Sequence, residues 1–508
     1  MVPRRDLLRW AALGSLASAL PTPALAADAS PTPPAKFDHS ALERQAAALA
    51  AAPFHAVDNS LPAPFATLQP AQYKAIRARQ GAYVWPGGTH GFMLEPLHRG
   101  PIFANPVALN IVDAGKVTPL TYSPGQFDFG DLKIPDGLPD LGFSGFAIHA
   151  PDVTGVRHKI AEFQGASFFR AIAPRQHFGI TARALSIRTA DLRGEEFPQF
   201  RSFWIETPPP AAASLRLHAL IDSPSAAAIV HITLHTGDAT IIDVETVLYA
   251  RAPLDHFGMG AMAGAYFYGP LAAHASDLLR PQVHQIDGLN LNTGANEWIW
   301  RPVANRKTLQ VSVFADNNPQ GFGLLQRDRR FGDYQDETHH DEAKPSLWIE
   351  PLGKWGDGGL ELVEIPSSAE DNANIVLAFR PAATLDSGAM LRFAYRQFWC
   401  WHPPDHAPLA RVTTTLGGVG SKTAWRAFII EFQDDSFASA STASGLSARI
   451  DVNPGRLEGH SLAYEHEARK VRVQFEFNPD GADMCELRVV LVKAGHNISE
   501  TWLYRWTS

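Results

Sequence analysis

Cysteine is scarce: Cys400 and Cys485 are the only two among 508 residues. So few thiols exclude a cysteine-built zinc cluster. Whether the two pair stays open, because nothing in the sequence sets their separation. Basic runs are missing from the body of the chain, and the formal charge is −8. A protein that tracks phosphates needs a basic stripe, so nucleic acid is excluded as a partner. There is no Walker loop, no dinucleotide glycine fingerprint behind a strand, and no His-Glu-x-x-His. No metal or organic cofactor is expected on those grounds. His residues number 20, yet only His339 and His340 are adjacent. The run DETHHDE (336–342) therefore reads as a solvated acidic loop, not a metal site.

Long apolar runs are missing too. The one near the N-terminus, from Trp10 to Leu20, is too short to span a bilayer. It follows the pair Arg4-Arg5 and precedes the small-x-small site Ala24-Leu25-Ala26. Residues 1–26 thus read as an export signal of twin-arginine type, with an ordinary secretory signal as the alternative. The signal carries three Arg and one Asp, a net +2, so the mature chain carries −10. The expected location is the periplasm, with no membrane span in the mature chain. Twin-arginine export carries folded cargo, so the fold should not need a disulfide.

What is present is β-forming sequence. Apolar residues make up 45%, and Gly and Pro number 39 each, spread along the chain. That favours many short strands joined by turns. Residues 27–36 are a Pro-rich linker, and ALERQAAALAAAPF predicts a helix over about 40–52 that stops before Pro53. AIVHITLHTG, ATIIDVETVLYAR and TLQVSVFADNNP then alternate as strands without interleaved helices. The fold class is all-β: a large antiparallel β-sandwich over 37–401, then a smaller immunoglobulin-like sandwich over 402–508. The boundary sits at HPPDHAPL, where three prolines break the pattern.

Three central segments gather chemistry-bearing side chains. VHQIDGLNLNTGANEWIWRP (283–302) holds Asp287, Trp298, Trp300 and Arg301. Residues 321–366 bring Tyr334, Trp348 and Trp355, and SSAEDNANIV (367–376) brings Glu370 and Asp371. Indole faces stack on the C–H faces of sugar rings, while acids, amides and Arg take the hydroxyls. A groove lined by Trp298, Trp300, Arg301, Tyr334, Trp355 and Glu370 would suit a polysaccharide. The alternative is that these tryptophans fill the sandwich core.

Longer stretches carry a resemblance. FQGASFFRA at Phe163, GEEFPQFRSFWIE at Gly194, GANEWIWRP at Gly294, DNNPQGFGLLQRDR at Asp316, PSLWIEPLGKWGDGGLELVEIP at Pro345 and ISETWLYRW at Ile498 resemble the periplasmic glucan biosynthesis protein G/D family. Arg4-Arg5 lean toward its D-type branch. The resemblance implies a large β-sandwich followed by an immunoglobulin-like domain. It also implies a role in building osmoregulated periplasmic glucans. Some members are inverting β-1,2-glucan hydrolases, which need one protonated carboxyl and one carboxylate to activate water. The family pattern places one Asp directly after the His of the first segment and another between two Asn of the third. Here those positions are Gln285 and Ala373. Neither an amide nor a methyl can move that proton.

The reading is a periplasmic protein that binds a β-glucan and helps synthesise or tailor its backbone, with weakened or altered hydrolase chemistry. One alternative is an active hydrolase or transglycosylase using relocated acids, Asp287 and Asp371. Another is a non-catalytic docking protein for a membrane glucan synthase.

Overall fold

The computed structural model describes residues 37–271, 279–404, 407–439 and 445–508. The expected signal (1–26) and linker (27–36) lie outside the described residues. The chain is all-β, a large sandwich followed by a smaller one. Its one long described helix is His39–Ala51, within a residue of the span its alanines predict. Asp38 caps it by accepting from the Ser40 amide at 3.0 Å. The turn ends at Ala52, because the residue before a proline is pushed out of the helical region.

The large sandwich packs a ten-stranded sheet against a fifteen-stranded one. Period-2 alternation sends every second side chain into the layer between them. On Thr240–Ala250 this buries Ile242, Val244 and Leu248 against residues of the other sheet such as Phe163, Leu362 and Phe379. The opposite face of the same sheet carries the helix. Leu42 and Ala46 pack there on Leu220, Ile229 and Val247.

The smaller sandwich faces a four-stranded sheet (Arg411–Val419, Arg426–Gln433, Lys470–Asn478, Arg456–Glu465) onto strands Leu446–Asn453, Met484–Lys493 and Thr501–Thr507. VRVQFEF alternates cleanly here. Val471, Val473, Phe475 and Phe477 are each no more than 1% exposed. Each such side chain contributes about 1.5–3 kcal/mol of burial. Cys400 and Cys485 are both buried and both free.

The two sandwiches share a sheet. Thr501–Thr507 pairs in parallel with Trp298–Pro302, with Ile299 opposite Thr501 and Trp300 opposite Trp502. The fifteen-stranded sheet therefore runs from the first sandwich into the second without a break. One apolar cluster fills the junction. It contains Trp298, Trp300 and Trp348 from upstream strands and Phe428, Phe475 and Trp502 from downstream ones.

Candidate functional site

A short hairpin organises the polar centre of the chain. Tyr266–Tyr268 pairs with Val283–His284. Three contacts hold other segments to it. Gln285 donates its amide N–H to the Ala265 carbonyl at 2.8 Å. Asn374 brackets Tyr266, accepting from its N–H at 2.8 Å and donating to its carbonyl at 3.0 Å. Tyr268 donates its hydroxyl to the Arg280 carbonyl at 2.7 Å. The segments bearing Gln285 and Ala373, far apart in sequence, are thus both anchored at residues 265–266.

Arg280 stands beside this hairpin. Its guanidinium donates to Asp336 Oδ2 at 2.7 Å and, in a short bond, to Glu370. Burial works against the charge on Arg280, but Glu370 and Asp336 more than offset it and hold the guanidinium firmly protonated. Burial likewise opposes ionisation of Asp336. The amides of His339 and Thr338 and the Arg280 guanidinium outweigh it and keep the carboxyl well below its ordinary range. Arg280, Asp336, Gln335, Glu337, Thr338, His339 and Phe331 line an open hollow of about 430 Å³. Phe331 is 44% exposed, an aromatic face presented to solvent at the rim.

A denser polar group surrounds His284. His284 stacks on Tyr266 at 4.8 Å between ring centroids and meets the edge of Tyr334 at 5.1 Å. Burial holds His284 below the usual imidazole range. Asp287 Oδ1 lies 3.6 Å from its Nδ1. The other Asp287 oxygen accepts from the amides of Arg327 and Asp328, the latter at 2.8 Å. Asp287 therefore caps the turn after Gly321–Leu325. Asp371 is exposed on its loop. Among the described residues no hydrogen bond or ion pair links Asp287 to Asp371.

The predicted stacking faces are corrected by the packing. Trp298 lies parallel to Trp348 at 5.8 Å inside the junction cluster. Trp300 is 3% exposed, with the Arg327 guanidinium 3.6 Å above its ring. Trp355 is enclosed by Phe322, Phe379, Phe393 and Tyr395, and donates its indole N–H to Ala394 O at 3.2 Å. Tyr334 is fully buried, and Arg301 is 2% exposed, paired with Glu364 at 3.2 Å. A sugar ring needs an open face, and these side chains spend theirs on protein. Of the six predicted binding residues only Glu370 keeps a substantial exposed surface, at 34% of its side chain.

Sequence reasoning missed Arg280, Phe331 and Asp336 as a group. Arg280 falls just outside the Trp-rich segment, and Asp336 sits in the acidic run read as solvated. The one available signal was RDRRFGDY, where a lone Phe sits among charges without a strand or helix period.

A second concavity, about 780 Å³ and open, lies at the junction of the sandwiches. Asn292, Asn296, Gln320, Arg488 and Asn497 give it an amide-rich wall, and only an edge of the buried Trp298 borders it. Glu297 anchors that wall by accepting from Arg488 at 2.7 Å and from Thr501 Oγ1 at 2.7 Å.

Residues 37–506 match the family model for periplasmic glucan biosynthesis protein, MdoG. The chain belongs to that family. It is 38% identical over 505 residues to glucans biosynthesis protein G of Rhodopseudomonas palustris, covering 99% of each chain. To glucans biosynthesis protein D 1 of Ralstonia nicotianae it is also 38% identical, over 532 residues, covering 99% of this chain and 98% of the relative. Among solved structures, a GH36 alpha-galactosidase of Geobacillus stearothermophilus aligns at a TM-score of 0.24 and 8% identity over 50% of this chain and 38% of that chain, too weak a likeness to argue from. Among the described residues no helix is long and apolar enough to cross a membrane.

Proposed function

We propose that this protein acts in the periplasm, where it binds a β-1,2-linked glucan and helps synthesise or tailor its backbone. The hollow around Arg280 is the binding site in this reading. What carries it is the Asp336–Arg280–Glu370 array beside the exposed ring of Phe331. Charged donors and acceptors fixed by one another form directional bonds to sugar hydroxyls, and the phenyl face covers C–H groups. With Gln285 and Ala373 at the positions where relatives of hydrolase type have acids, the site holds glucan without the usual proton transfer. Asp287 serves as a turn cap in this account and Asp371 as a loop acid. The division into a glucan-handling part over 37–401 and an immunoglobulin-like part over 402–508 is proposed on the same footing.

The test is titration of linear β-1,2-glucan into the purified protein. Arg280→Ala and Phe331→Ala each weaken binding at least about tenfold, the cost of a lost charged hydrogen bond or stacking face. Asn296→Ala, in the junction groove, leaves it unchanged. Equal binding in wild type and both hollow variants removes the assignment. Long incubation with glucan releases no new reducing ends. If reducing ends or cyclic products do form, and Asp287→Asn and Asp371→Asn abolish them, the relocated-acid hydrolase takes its place.

A further inference from the structure

On the outer face of the fifteen-stranded sheet, well away from the Trp-rich segments, three histidines converge. His218 on Ser214–Asp222 and His231 on Ala226–His235 are directly opposed across the strand pair. His39 is the first residue of the helix laid over that face. Each offers a ring nitrogen, and these nitrogens all lie within 4.8 Å of one another. The His39 and His218 rings meet edge to face at 4.7 Å, and the His39 and His231 rings are 5.7 Å apart.

We propose that His39, His218 and His231 form a binding site for a borderline transition-metal ion of the Zn²⁺ class. The donor set is three imidazoles with no thiolate, which suits Zn²⁺, Ni²⁺, Co²⁺ or Cu²⁺ and not Mg²⁺ or Ca²⁺. The supporting shell is in place. His218 Nε2 and Glu206 Oε1 are 3.0 Å apart, so an Nε2–H donated to the carboxylate leaves the Nδ1 lone pair free. A carboxylate behind an imidazole is the usual way a metal-bound histidine is oriented. That Nδ1 stands 2.7 Å from His231 Nδ1. Without metal, His231 donates its Nδ1–H across this gap. Metal entry takes the Nδ1 lone pair of His231 after its proton shifts to Nε2, so both rings stay neutral and no net proton is released. Two nitrogens on one tetrahedral zinc stand about 3.3 Å apart, given bonds of about 2.0–2.1 Å, so the rings need to open by about half an ångström. His39 is exposed and closes the third side. The nearby carboxylates Glu43 and Glu245 are both held by Arg392, so the fourth position falls to water. An ion here would bolt the first turn of the helix to two strands of the sheet.

The experiment uses untagged protein stripped with chelator and desalted. Zn²⁺ is titrated by calorimetry, and Co²⁺ is followed by its visible d–d absorption. One ion per chain binds, the Co²⁺ band has tetrahedral intensity, and Zn²⁺ displaces it. Zn²⁺ raises the melting temperature, and Mg²⁺ at the same concentration does not. His39→Gln, at an exposed position, and His231→Gln each abolish the Co²⁺ band with far-UV circular dichroism unchanged. Glu206→Gln lowers Zn²⁺ affinity about tenfold to a hundredfold. Absence of stoichiometric binding, or binding that survives both His39→Gln and His231→Gln, overturns the site.

Discussion

Asp341 shows how much a single buried acid can do. It is 5% exposed, and burial lifts its carboxyl to about 6, with Asp336 adding to the lift and Lys344, His339 and Arg280 pulling against it. A carboxyl raised in the fold is favoured in its neutral form. Its contribution to stability is intact below pH 4, shrinks as pH rises, and has become a cost above about 6. Asp341→Asn therefore raises the melting temperature at pH 8 and leaves it unchanged at pH 4. Thermal scans across that range check this, and a shift of about two pKa units bounds the gain near 3 kcal/mol. Trp355 makes the contrasting case. Gly260, at φ +60 in a register shift, brings its backbone so close that an added Cβ would stand 3.3 Å from the indole. Trp355→Ala costs about 3–5 kcal/mol in chemical denaturation, because the pocket it leaves cannot collapse. An indole that served only a ligand would cost far less. Here the limit of sequence reading is plain. Alternation at Trp298, Ile299 and Trp300 reveals a strand, but a core face and a sugar-binding face share that pattern. Nor can spacing reveal Arg280, whose partners come from 56 and 90 residues downstream.

Elements were more legible than residues, since their signals are local. The Ala-rich run and the strict alternation of Lys470–Asn478 each identify their element unaided. What joins elements was not legible. Glu500 is 1% exposed and accepts both arms of Arg327, at 2.8 and 2.7 Å, together with the Val412 amide at 2.9 Å. It thus ties the turn after Gly321–Leu325 to the first strand beyond the proline-rich break. Glu500→Gln leaves the half-buried Arg327 guanidinium without its counter-charge, and the expected loss is about 1.5–3 kcal/mol by urea unfolding. At the other end of the chain, Asp38→Ala removes the helix cap and costs about 1 kcal/mol.

At the scale of the molecule, the all-β class and the family were legible from composition and from long matching stretches. The shared sheet was not, because a parallel join between Trp298–Pro302 and Thr501–Thr507 leaves no local trace. It predicts that a chain ending at Trp401 does not give a soluble folded product. Such a chain leaves Trp298–Pro302 without one partner strand and bares Trp298, Trp300, Trp348 and Phe398. Expression of that fragment beside the full chain, with solubility and circular dichroism as readouts, checks this.

That same join bears on how the protein comes into being. Trp298–Pro302 leaves the ribosome about two hundred residues before the strand it must lie beside. Loop closure over such a span is slow and costly in entropy. The nascent chain therefore cannot complete its architecture while translation continues. A cell that keeps chaperones on this strand until the final residues emerge would gain most from doing so.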